Sequence, residues 1–143
     1  MDITMKKILS IIFILYTSAC TASDLDIQGT NIQLTDRCEI KATYKNKPAE
    51  IFKLNLPNAS SCNFITHSNT NIVHLEQVTN AYMFLVESTE TNENNCKSTY
   101  IAVAVSNMGD ISISPISKRS GSCGAGRERK VFEYFAFKMK IIK

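Results

Sequence analysis

The chain has 143 residues, 44% of them hydrophobic and 20% charged, with a formal net charge of +3. That length suits one domain with a core of its own, and the apolar share excludes an intrinsically disordered polymer. The positive balance is too weak to argue for nucleic acid, so no nucleic-acid partner is expected.

Lys6 and Lys7 precede an apolar run at residues 8–16 (ILSIIFILY), and the small residues Thr17, Ser18 and Ala19 follow. Positive, then apolar, then small is the order of a secretory signal peptide. The run is too short to cross a bilayer, which needs roughly 20 apolar residues. Cleavage by an ordinary signal peptidase would fall after a small residue such as Ala22 and leave a soluble periplasmic or secreted protein. Thr17-Ser18-Ala19-Cys20 also resembles the lipobox of bacterial lipoproteins. The resemblance covers the signal alone. It implies that residues 1–19 are a signal peptide, that residues 20–143 form the mature domain, and that the Cys20 sulfur carries a diacylglycerol anchor. With Thr21 rather than Asp next, it further implies the periplasmic face of the outer membrane. Loss of Asp2, Lys6 and Lys7 with residues 1–19 lowers the net charge from +3 to +2.

Four cysteines remain beyond Cys20: Cys38, Cys62, Cys96 and Cys123. An even number in an exported small domain reads as two disulfides, and acylation of Cys20 removes the odd thiol. Three pairings are open; the simplest is Cys38–Cys62 with Cys96–Cys123.

In chain order, short period-two segments alternate with turn residues. Residues 25–35 alternate around Gly29. Residues 38–44 (CEIKATY) place Cys38, Ile40, Ala42 and Tyr44 on one face, and residues 52–56 do the same with Phe52, Leu54 and Leu56. CNFIT, NIVHLEQV and AYMFLVES follow, and then the β-branched TYIAVAVS at 99–106. Asn107-Met108-Gly109-Asp110 reads as a hairpin turn into ISISPIS, with Pro115 at an edge or a bulge. Residues 131–142 are ambiguous: Val131, Phe132, Tyr134 and Phe135 suit a helix face, but the alternation through Phe135, Phe137, Met139 and Ile141 lasts longer and predicts a strand. The expected fold is all-β, a small antiparallel sandwich or barrel stabilised by two disulfides.

Two stretches read as long loops. Residues 87–98 (ESTETNENNCKS) are acidic and polar; residues 117–130 (SKRSGSCGAGRERK) are basic and glycine-rich. In the second, Lys118, Arg119, Arg127, Arg129 and Lys130 flank Gly121, Gly124 and Gly126. Glycines permit an anion-binding nest of backbone N–H groups, and Arg offers bidentate contacts to carboxylates. This loop is the candidate partner-binding site.

Other chemistries find little support. No C-x-x-C or paired Cys–His spacing marks a zinc site, and no cofactor motif occurs. His67 falls in a turn and His74 is expected to face solvent, with no nucleophile pattern near either. Glu76, Glu87, Glu90 and Glu93 have no acid–base spacing, and the last three fall in or beside a solvated loop. In outline the chain is similar to small bacterial inhibitor and immunity lipoproteins: a signal, a lipobox, a disulfide-bonded β-domain and a polar loop. That likeness implies a non-enzymatic envelope protein that blocks a hydrolase or toxin by wedging residues 118–130 into an acidic cleft. The alternative expectation is a structural or small-ligand, peptidoglycan-binding lipoprotein of the outer membrane, using a barrel cavity or exposed aromatics such as Tyr82, Phe84, Tyr134 and Phe137.

Overall fold

The computed structural model describes residues 24–124 and 127–143; the signal segment, Cys20 and Gly126 lie outside the described residues. The first sheet is an antiparallel meander of β1 (Leu25–Ile27), β2 (Thr30–Leu34), β3 (Glu39–Thr43) and β4 (Glu50–Lys53). Gln28 and Gly29 join β1 to β2 with φ of 52° and 79°. Two consecutive positive φ values match the right-handed twist of a tight hairpin, which is the reason for glycine there. Alternation then sends Ile32, Leu34, Ile40 and Ala42 inward and leaves Gln33 and Lys41 outside.

The second sheet is built on two long strands, β7 (Ala81–Asn92) and β8 (Asn95–Ser106). The remaining strands are β5 (Cys62–Phe64), β6 (Glu76–Val78) and β9 (Ile111–Ser120); β5 and β6 share one edge of β7, and β9 flanks β8. A hydrogen bond from the Thr30 hydroxyl to the Gly109 carbonyl (2.7 Å) joins the turn ends of the two sheets. A side chain at Gly109 would put its Cβ 2.6 Å from Thr30 Oγ1, so this turn also requires glycine.

The centres of β7 and β8 are buried on both faces. Phe84, Val86, Ile101, Val103 and Val105 meet the first sheet. Met83, Leu85, Ala102 and Ala104 face the other way, onto Phe132, Phe135 and Ala136. Double burial explains why these segments read as continuous apolar runs. Both clusters and both disulfides fall within the described residues. The disulfides are Cys38–Cys62 and Cys96–Cys123, with Cα separations of 5.5 and 5.7 Å. The first ties the two sheets together.

The two sheets form an open sandwich with two disulfides, as the alternation predicts, and Pro115 lies on the edge strand β9 where the pairing with β8 slips between Ile101 and Val103. Three local expectations are corrected. Residues 131–142 are not a strand: Arg129–Lys138 form the helix α1, which buries Phe132, Phe135 and Ala136 at helical spacing and ends at Lys140 with φ 61°. Residues 87–98 are not a loop. The β7–β8 ladder continues to the pair Asn92 and Asn95, closing on a turn in which Glu93 takes φ 51° without a glycine. Its polar side chains face water while the backbone groups pair across the ladder. In NIVHLEQV only Glu76–Val78 is strand, preceded by a single bridge from Val73 to Thr66.

Candidate partner-binding site

The site lies where β7, β8 and β9 outgrow the packed layers. Residues 90–95 and Lys97 are exposed. At the base, the Thr89 carbonyl accepts from Asn58 Nδ2 (2.9 Å) and from the Ser61 hydroxyl (2.7 Å). Beside the hairpin, Cys96–Cys123 fastens the loop that leaves β9. The Ser98 hydroxyl donates to the Ser122 carbonyl (2.9 Å), and the Gly124 N–H donates to Glu87 Oε1 (2.7 Å). One covalent and two hydrogen-bonded ties therefore fix residues 121–124.

Glu87 is 3% exposed, so it is not the solvated loop carboxylate the sequence suggests. It lies on the same face of β7 as Met83 and Leu85, opposite Tyr100 in register. Its Oε2 is buried and has no hydrogen-bond partner among the described residues. The bond from the Gly124 N–H to this buried side chain ties the loop to the sheet. The loop pays with its donors: Gly124 N–H goes to Glu87 and Ser122 N–H to the Ser120 hydroxyl (3.3 Å). The expected anion nest thus has two of its N–H groups already engaged.

The five basic residues do not share one loop. Lys118 and Arg119 are on β9 and, by strand alternation, point to opposite faces of the sheet. The Lys118 ammonium is 4.2 Å from the Tyr134 ring centre, on the helix side. Arg119 is exposed and lines a concavity of about 240 Å³ with Pro57, Glu90, Lys97 and Thr99. Arg127 packs its guanidinium 4.8 Å from the Tyr100 ring centre and donates from Nη2 to the Ser98 hydroxyl (3.4 Å). Arg129 bonds Glu76 Oε2 through Nη1 (2.9 Å) and the Gln77 carbonyl through Nη2 (3.1 Å), and its Nε lies 3.3 Å from Glu133 Oε1. It clamps α1 to β6. Lys130 is exposed on the helix surface.

The histidines were missed as a pair. His74 is buried rather than solvent-facing: its Nε2 is 3.0 Å from Glu76 Oε1, its ring stacks on His67 at 4.2 Å, and Phe132 lies 4.8 Å away. A carboxylate acceptor assigns the proton to Nε2. Among the described residues neither imidazole hydrogen-bonds a hydroxyl or thiol side chain, and no three of His, Cys, Asp and Glu gather as metal ligands. The pair joins Glu76 and Arg129 in one network beneath the N-terminal turn of α1.

At the opposite end of β8, a concavity of about 400 Å³ is lined by Gln28, Tyr44, Lys45, Lys47 and Met108. Burial, then the nearby Glu50 carboxylate, raises the Tyr44 hydroxyl above its ordinary value. The hydrogen bond to Asp110 (3.1 Å) raises the Lys47 ammonium.

No protein-family model, curated protein or solved structure matches this chain.

Proposed function

We propose that the chain is an exported, non-enzymatic envelope protein that binds and blocks a partner protein, a hydrolase or a toxin, and is held at the outer membrane by acylation of Cys20. The observation that carries this reading is the braced loop at residues 121–124. Its disulfide and its bond to buried Glu87 fix it beside an exposed hairpin. Rigid presentation of a polar loop lowers the entropy lost on association. The contact surface is the end of β7–β8–β9, with Arg119 and Lys97 as exposed cations, and an acidic cleft in the partner complements it. Arg127 packs within this end, whereas Arg129 clamps α1 to β6 away from it.

The test is capture. Residues 21–143, oxidised and immobilised, are exposed to envelope extract and secreted proteins. The reading predicts retention of one hydrolase or toxin, inhibition of its activity, and loss of both with Arg119→Glu. Retention that ignores Arg119→Glu and a Gly121–Ser122 deletion, or no protein retained at all, contradicts it.

A further inference from the structure

The helix α1 is apolar on two sides. Phe132, Phe135 and Ala136 face the central sheet, but Tyr134 and Phe137 point the opposite way and remain 37% and 57% exposed. With Lys130 they form a stripe at i, i+4 and i+7, which is one face of a helix. Lys118 and Lys138 hold their ammonium groups 4.2 and 5.7 Å from the Tyr134 ring centre, one from β9 and one from the helix. Among the described residues, Lys118, Lys130 and Lys138 make no ion pair, and Glu133 at the edge of the stripe is taken by Arg129. Lys140 and Lys143 follow, both exposed.

We infer that the outer face of α1 is a docking surface for an anionic phospholipid bilayer. Three observations choose lipid over a protein partner. The face is the convex side of a helix, whereas protein hot spots are anchored in pockets. Its cations are lysines, strongly hydrated point charges suited to a diffuse field of phosphates; the arginines nearby, which favour fixed bidentate pairing, are turned to internal contacts. The exposed rings are a Tyr and a Phe on a helix flanked by lysines, the composition of segments that lie in the headgroup region. Docking seats Phe137 and Tyr134 at the acyl boundary and spreads the lysines over the phosphates. It needs no acyl group and is independent of the partner-blocking reading.

The experiment uses residues 21–143, which contain every described residue, without acylation. The protein is sedimented with vesicles of equal parts phosphatidylglycerol and phosphatidylcholine, and with phosphatidylcholine alone. Binding is expected to the anionic vesicles only and is lost in high salt. Lys118→Gln with Lys138→Gln weakens it roughly 25-fold, about fivefold for each lysine. Phe137→Ser weakens it roughly tenfold. Arg119→Gln, on the other face of the sheet, leaves it unchanged. Circular dichroism and intact mass establish that each variant is folded with both disulfides. No binding, equal binding to neutral vesicles, or equal loss with Arg119→Gln overturns the inference. Binding to soluble poly-glutamate with indifference to vesicles also overturns it, and assigns the face to an acidic protein.

Discussion

On one face of the central sheet, Phe84, Val86, Ile101, Val103 and Val105 meet the first sheet in a closed apolar layer, locked by Cys38–Cys62. On the other face the apolar contacts with α1 end at Leu85 and Tyr100, and the next positions along the strands are Glu87 and Ser98, each bonded to the loop that follows β9. The two faces share the same strands and carry one disulfide apiece. The difference separates two tasks: the first face supplies stability, and the second spends burial on positioning a surface loop.

That contrast is open to attack in steps of decreasing size. Phe84→Ala removes a fully buried ring from the first face and costs about 3–5 kcal/mol, read by denaturant unfolding. The disulfides sharpen the comparison further. Their sequence separations are 24 and 27 residues, so the loop-entropy model gives each about 2–4 kcal/mol. Cys38→Ser with Cys62→Ser should lower the unfolding midpoint and leave partner affinity intact in the folded protein. Cys96→Ser with Cys123→Ser should lower both. Glu87→Ala removes the acceptor of the Gly124 N–H and costs about 0.5–1.5 kcal/mol, with faster amide exchange at Gly124. Glu87→Gln, which keeps an acceptor there, costs less. Arg129→Ala is the smallest, at most about 1 kcal/mol and less in salt, because its guanidinium is half exposed and its ion pairs are screened.

The first face was legible in the sequence and much of the second was not. Alternation around Gly29, and in 38–44, marks the strands of the first sheet because one side of each meets the core and the other meets water. The simplest of the three open cysteine pairings, with one cysteine in each polar segment joined, is the one observed. The helix was misread for a physical reason. Phe135 and Phe137 alternate as in a strand because α1 carries an aromatic residue on its outer face as well as its inner one. Val131, Phe132, Tyr134 and Phe135 also suit a helix face, but Tyr134 proves to lie on the outer side with Phe137. Residues 88–92 looked like a loop since periodicity needs a buried face, and this part of the hairpin has little of one. Glu87 was hidden by the acidic run after it, although its phase with Met83 and Leu85 places it on a buried face. His74 needed tertiary contacts: its partners are two residues away on β6, in a turn, and on α1.

The most direct measurement is the affinity of the captured protein for the oxidised chain and for its Cys96→Ser, Cys123→Ser form, by calorimetric titration below both unfolding transitions. A preorganised loop predicts at least roughly tenfold weaker binding for the variant, with the loss carried by entropy. Equal affinity, with both proteins folded, contradicts the claim that the braced end of the long sheet is the binding surface.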